Sequence, residues 1–381
     1  MKDRLRFLSL ALALILVAGL PAGLVAAPAA DLHLQSSAWI SLNDDKPSTP
    51  RLGLRFMPAL SLGKALGARW KLDSEVSLNL LASGAAEGWS QPEFTGEIKP
   101  YRLWLRLSSQ RIEARLGLQK INFGSATVFR PLMWFDRIDM RDPLQLSDGV
   151  YGLLLRYYFK GNANLWLWGL YGNADPKGWE TLPTADRTPE FGGRFQAPLF
   201  SGEAAATVHF RRAAAHGDRA IAPGGESRFA LDGKWDLGVG LWVEAALVHL
   251  ADPMTAHPWQ RSLAAGIDYT FRLGNGLYLL AEQYLSGEAM DLFGAGGSGA
   301  SLSALMARYP VSLLDALGAI LYYDGRNRQL YAFASWQRTL DRWQFHVMAF
   351  ANPRQARLAE GPSGNAMLSG VGFQLLAVWN I

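Results

Sequence analysis

Between residues 31 and 379 polar and apolar side chains alternate in segments of about ten residues, the length of a strand tilted across a bilayer. A period of two sends successive side chains to opposite faces of a strand. In 190–196, Phe191 and Phe195 share one face while Glu190, Arg194 and Gln196 share the other. In 228–236, Phe229, Leu231 and Trp235 oppose Arg228, Asp232 and Lys234; in 262–272, Leu263, Ile267, Tyr269 and Phe271 oppose Asp268 and Arg272. The pattern predicts strands over 31–42, 51–62, 69–82, 97–108, 111–121, 151–159, 164–172 and 190–198. It continues over 204–211, 228–236, 241–250, 262–272, 277–285, 329–337, 343–350 and 367–379.

The junctions alternate too. Ser109-Gln110, Ser201-Gly202, Leu237-Gly238-Val239-Gly240 and Leu340-Asp341 are turns, whereas 43–50, 83–96, 122–150, 173–189, 212–227, 251–261, 286–328 and 351–366 are long. Short turns at one end and long loops at the other are the pattern of a transmembrane antiparallel β-barrel. The expected fold is therefore all-β, with about 16 strands (14–18), an even count that leaves both termini at the turn end. Trp166, Trp168, Trp235, Trp242, Trp336, Trp343 and Trp379 suit interfacial girdles.

Composition supports that reading. The 381 residues are 49% hydrophobic and only 18% charged, below the roughly 25% of a typical soluble domain. Cysteine is absent, which excludes disulfides, thiolate metal sites and a cysteine nucleophile. Residues 1–29 read as a signal peptide, with basic Lys2, Arg4 and Arg6 before an apolar stretch from Leu8 to Leu20. Removing it lowers the formal net charge from +4 to +2, so no nucleic-acid partner is implied. No later apolar run reaches the ~20 residues of a spanning helix, and 30–381 is left as the barrel.

The polar faces carry the candidate chemistry. Arg102, Arg106, Arg115, Arg156, Arg194 and Arg211 would line one side of a lumen; Glu113, Glu190, Asp232, Glu244, Asp268 and Glu282 supply acids, mostly on later strands. Opposed walls of this kind make a transverse field across an aqueous pore. The plainer alternative is that the charges pair and seal the interior. The 122–150 insertion adds Arg130, Asp136, Arg137, Asp139, Arg141, Asp142 and Asp148, with Phe129, Trp134 and Phe135 among them. It reads as a loop folded inward as a constriction, or as an outer loop tied by local salt bridges. Asp136, Asp139 and Asp142 would suit calcium, but the interleaved Arg137 and Arg141 oppose it.

Other motifs carry less. His33, His209, His216, His249, His257 and His346 show no metal-ligand spacing. His209, His346 and Ser335 are inward candidates, but nothing brings them together for catalysis. Gly294-Ala295-Gly296-Gly297-Ser298-Gly299 lacks the strand–helix context of a dinucleotide site and reads as a linker. Residues 300–309 read as a short helix inside the long 286–328 loop.

Arg115-Leu116-Gly117-Leu118-Gln119-Lys120-Ile121-Asn122-Phe123-Gly124, followed by Arg141-Asp142-Pro143, is similar to an R-x-G-x-Q-x-[IV]-x-x-G signature of alginate-export-like and related porin-like barrels. The last segment, 372–381, resembles the C-terminal strand by which such barrels are recognised, although it ends Trp379-Asn380-Ile381 rather than on an aromatic residue. The resemblance implies a passive channel for small polar or anionic solutes in the bacterial outer membrane, in contact with outer-membrane lipid and without cofactor, metal or enzymatic activity. A homotrimer follows by analogy only. A polymer-export barrel would carry a one-signed lumen, and a plugged scaffold barrel that binds a partner would not conduct.

Overall fold

The computed structural model describes residues 29–44, 50–86, 93–214, 224–251, 257–294, 297–353 and 370–381. The expected leader lies outside them except for Ala29, as does His216. Eighteen strands form one sheet: β1 (Ala29–Asn43), β2 (Arg51–Leu66), β3 (Trp70–Ala85), β4 (Glu93–Ser108), β5 (Ile112–Gln119), β6 (Val150–Tyr158), β7 (Asn164–Leu170), β8 (Glu190–Leu199) and β9 (Gly202–Ala213). The second half comprises β10 (Gly224–Asp236), β11 (Gly240–Ala251), β12 (Trp259–Phe271), β13 (Leu277–Ala289), β14 (Gly299–Pro310), β15 (Asp315–Asp324), β16 (Gln329–Thr339), β17 (Trp343–Ala351) and β18 (Val371–Asn380). Each strand pairs antiparallel with the next. β18 returns to β1 from Gln35 opposite Asn380 to Asn43 opposite Gly372, so the barrel closes and no sheet edge is left along that seam.

The count is 18 rather than about 16. β14 and β15 run through the stretch expected to be the 286–328 loop, and the expected helix at 300–309 is strand β14. Their alternation is hidden because both faces are apolar. Outward Leu305 and Leu317 meet the exterior, while inward Leu302, Ala304, Met306, Ile320 and Tyr322 pack against a segment inside the barrel. Without a polar face, period two leaves no mark in the sequence.

Elsewhere the arrangement inverts that of a water-soluble protein. On β10, Phe229 and Leu231 are exposed outward, while Arg228, Ala230 and Asp232 are buried inward. An apolar exterior suits a lipid phase. Trp166, Trp168 and Trp242, expected in a girdle, instead share the inward face: register sets Trp166 against Arg194 and Trp242 against Lys234.

The connections after the even-numbered strands from β2 to β16 have two to five residues and define a turn end, where β1 also begins and β18 ends. At the loop end the connections have seven to thirty residues, except for 325–328. β1–β4 are 15 or 16 residues long, whereas β5–β8 have only seven to ten, because 120–149 and 171–189 leave the wall there and turn inward.

Candidate functional site

The inward turn of 120–149 begins with Gln119. Its fully buried amide donates to the carbonyls of Arg115 (3.0 Å) and Gly152 (2.9 Å), tying the end of β5 to β6. Two residues earlier Gly117 has φ +120°, and a Cβ there would meet the Leu103 carbonyl at 2.2 Å. The residues that carried the sequence resemblance therefore do backbone work at the place where the chain leaves the wall.

The segment then crosses to the far wall, where two strand carboxylates hold its backbone. Glu244 on β11 accepts from the N–H groups of Ser125 and Ala126, each at 2.9 Å, and from that of Leu132. Glu282 on β13 accepts from the N–H groups of Thr127 (3.0 Å), Val128 (3.1 Å) and Phe129, and from Trp242 Nε1 (2.7 Å). Carboxylate acceptors give charge-assisted bonds, roughly twice as strong as neutral ones. The Ser125 hydroxyl adds a bond to Asp232 (2.8 Å). Glu244 and Glu282 are thus buried under the segment rather than open to the lumen.

Apolar packing seals this contact. Phe129 lies against Tyr284 and Tyr322, and Phe123, Trp134 and Phe135 pack with Trp168 beside His209. Burying each large side chain stabilises the arrangement by ~1.5–3 kcal/mol. The connection 171–189 covers the segment from the loop end. Trp179 Nε1 donates to the Arg130 carbonyl (2.7 Å), and Arg137 donates to the Pro176 carbonyl (2.7 Å).

The remaining candidate residues divide by position. Arg130 is buried, paired with Asp136 (2.8 Å) and bonded to Asn122, so it serves the inside of the segment. Arg194 grips Asp232 through both terminal nitrogens. Arg211 pairs with Glu226 and Glu180, which also hold Arg228, while Glu190 meets Lys177 and His209. Asp268 accepts from Tyr278 near the turn end (2.9 Å). The acids weighed for calcium do not converge: Asp136 pairs with Arg130, Asp139 with Arg141, and Asp142 accepts from Leu144 N–H (2.9 Å). His209 on β9 and His346 on β17 occupy separate walls.

The side of the interior left uncovered is walled by β2–β6. From the loop end to the turn end its inward positions include Arg51, Arg55, Lys99, Arg106, Arg115 and Arg156, with the acids Glu93, Glu97 and Glu75 among them; Arg102 is buried beneath the segment and donates to the Ser147 carbonyl (3.0 Å). Glu113 sits among Arg115 (3.0 Å), Arg156 (3.4 Å) and Arg106 (3.9 Å), and Asp73 holds Arg106 (2.9 Å) and Lys71 (2.6 Å). Aromatic rings support the guanidinium groups without neutralising them: Trp39 lies under Arg55, Tyr101 under Arg102, Trp104 under Arg115 and Trp166 under Arg156. Arg51 and Arg55 have no described carboxylate within ion-pair distance. Neither was singled out from sequence, although Leu52, Leu54 and Phe56 alternate with Arg51 and Arg55 in plain view.

Facing this basic wall, the segment presents Asp142 and Asp148, the latter paired with Lys99 (2.9 Å), while Arg141, held by Asp139, lies over the Phe333 ring of β16 (5.5 Å). Burial pushes the Asp142 carboxyl above the ordinary aspartate range; the amides of Leu144 and Leu146 and the charge of Arg55 only partly offset it. Burial lowers Lys120 despite the nearby Asp136 charge.

No known protein-family profile matches the chain, and neither does any curated protein sequence. Solved structures do. OccK5 (OpdH) of Pseudomonas aeruginosa aligns with a TM-score of 0.56 at 11% identity, covering 92% of this chain and 98% of that one. OccD3 (OpdP) of the same organism gives 0.55 at 12% identity, with coverages of 94% and 92%. An anion-selective porin from Comamonas acidovorans gives 0.52 at 12%, with coverages of 93% and 100%. The chain has the outer-membrane porin fold. Within that porin fold, its interior is divided by 120–149 into a packed half on β7–β16 and a basic, arginine-rich half on β2–β6.

Proposed function

We propose that the protein is an outer-membrane porin through which small polar or anionic solutes diffuse passively, between 120–149 and the inward face of β2–β6. The observation that carries this reading is the asymmetry of the interior. The far wall spends Glu244 and Glu282 on the backbone of the segment, whereas Arg51 and Arg55 have no described carboxylate within ion-pair distance and Arg55 rests on the Trp39 ring. With Glu244 and Glu282 withdrawn, the arginines and lysines of β2–β6 outnumber the acids Asp73, Glu75, Glu93, Glu97 and Glu113 on the same inward face, a positive balance that favours anions and disfavours greasy solutes. In this reading 122–150 is the constriction, Arg102, Arg106, Arg115, Arg156, Arg141 and Asp142 are lining groups, the loop end faces outward and the turn end faces the periplasm. One structural neighbour being described as an anion-selective porin supports it.

A homotrimer remains an analogy with porins. The likeness to alginate-export barrels rests only on the string 115–124 and the later Arg141-Asp142-Pro143, and Asp73, Glu113 and Asp142 keep the lumen from being one-signed as a polymer-export barrel would require. The plugged-scaffold reading draws on one observation, the burial of both 120–149 and 171–189 inside the barrel. Planar-bilayer recording of the purified protein separates the readings: single-channel steps with anion preference support the porin, and an absence of steps favours the plug.

A further inference from the structure

We propose that 174–181 is an acid-released cover: protonation of His209, buried on β9, displaces Lys177 from Glu190 and frees the cover from β8–β10. The stretch lies between two ties to the wall. Before it, Tyr171 N–H donates to the Tyr151 carbonyl (3.2 Å) and the Asn173 side chain grips the backbone of Tyr151. After it, Ala185 N–H donates to the Arg212 carbonyl (2.8 Å) beside the bridge of Thr184 to Ala213. Between these ties the cover meets the strands through charge. Lys177 reaches Glu190 (3.0 Å), and Glu180 receives Arg228 (2.7 Å) and Arg211 (3.2 Å). Water can solvate such a wall once the cover lifts, whereas 120–149 rests on apolar Leu154, Trp168, Leu302 and Tyr322 and stays.

His209 sets the state of the latch. Trp168 Nε1, which can only donate, gives a hydrogen bond to its Nδ1 (3.2 Å), so the single ring proton sits on Nε2 and goes to Glu190 (3.1 Å). In that neutral tautomer the charges close: Glu180, Glu190 and Glu226 balance Lys177, Arg211 and Arg228. A second proton must enter at Nδ1, where it faces the indole N–H. It also brings a further positive charge beside Arg228, which lies directly opposite His209 on β10. The other groups around the ring give no relief. Trp134 and Phe135 of 120–149 offer only rings, and Arg194 and Asp232, next along β8 and β10, satisfy each other. Glu190 then has two cations to hold, His209 on a paired strand and Lys177 on a connection. Lys177 is the one that can leave.

Release of 174–181 uncovers the loop-end side of 120–149 and opens Arg211, Glu226 and Arg228 to the lumen beside β8–β10. Detachment is favoured by up to about tenfold for each pH unit below the ordinary histidine pKa of about 6.5, because the detached state binds the proton more tightly.

The chain has no native cysteine, so one introduced thiol in the full chain, purified in detergent, reports the cover. Met133→Cys places it at a buried residue whose carbonyl accepts from the Trp179 N–H; Ser201→Cys, in an exposed turn, is the reference. Both are labelled with a pyridyl disulfide, which reacts with thiols in acid as well as at neutral pH. From about pH 7.5 to about pH 4 the Met133→Cys rate, relative to the reference, should rise at least about tenfold. Adding His209→Gln, which keeps a donor for Glu190 and an acceptor for Trp168, should hold the ratio nearly flat. Adding Lys177→Gln should reverse the sign: the cover starts loose, protonated His209 supplies the missing cation, and labelling slows in acid. The two additions act on different residues, so misfolding of one leaves the other to decide. A ratio that fails to rise with Met133→Cys alone, rises equally with His209→Gln, or rises with Lys177→Gln overturns the proposal. Labelling reads the cover and not ion flow, so the outcome is separate from the porin reading.

Discussion

Glu282 on β13 accepts a hydrogen bond from the backbone N–H of Phe129, a residue 153 positions earlier in the chain. Thr127 and Val128 donate to the same carboxylate, so one side chain anchors three consecutive amides across the barrel. The position of the crossing segment therefore depends on acids of the opposite wall as much as on its own sequence.

Glu282→Ala leaves those amides and Trp242 Nε1 buried without their acceptor, at ~1–3 kcal/mol for each group. Cleavage within 120–149 in limited proteolysis should accelerate several-fold, and single-channel current should become noisier. A cleavage pattern identical to wild type would show that the anchor is dispensable.

Arg130 and Arg55 should behave differently despite their shared chemistry. Arg130→Ala strands Asp136, which is only 1% exposed, so unfolding in denaturant should require ~3–5 kcal/mol less. Arg55→Ala should leave stability nearly unchanged and move the reversal potential in a salt gradient toward cation preference. Equal effects of the two changes on selectivity would contradict the assignment of Arg130 to the inside of the segment.

Asp142 gives a pH dependence. Its carboxyl is raised by burial, so its favourable contribution to stability is full below the unfolded pKa of about 4 and is lost as pH rises through the higher folded value. At neutral pH the charged form is therefore a cost, and Asp142→Asn should stabilise the protein modestly. Acidification should increase anion preference as Asp142 becomes neutral, beginning at a higher pH than an ordinary aspartate would give, and Asp142→Asn should remove that increment. Reversal potentials measured across a pH series decide the point.

Gly178 has φ +48°, and a Cβ there would come within 1.9 Å of the Met133 carbonyl. Gly178→Ala should push 171–189 off the crossing segment and cost ~1–3 kcal/mol. Quenching of Trp179 fluorescence by an aqueous quencher should rise; unchanged quenching would mean that the two connections part without cost.

Much of the barrel was legible because a polar interior and an apolar exterior write period two into each strand, as in Phe229 and Leu231 against Arg228 and Asp232. Legibility failed where the interior is also apolar. Leu302, Met306, Ile320 and Tyr322 pack on Val128, Phe129 and neighbouring side chains, so β14 and β15 read as an apolar loop. The arginines of β4–β6 could be placed by parity, even though Tyr101 forms a bulge opposite the register shift at Ser77 and Leu78. Which acids remain open could not be read from sequence. Glu244 and Glu282 alternate like any lumenal carboxylate, and only the folded chain brings backbone amides onto them.

The central claim is that an anion-preferring path runs between 120–149 and the basic wall of β2–β6. Reversal-potential recording of single channels in a planar bilayer, under a potassium chloride gradient, tests it most directly. Wild type should conduct in discrete steps with anion preference, and Arg55→Ala with Arg102→Ala should lower that preference while the steps persist. Silent membranes, or a reversal potential indifferent to both arginines, would contradict the account.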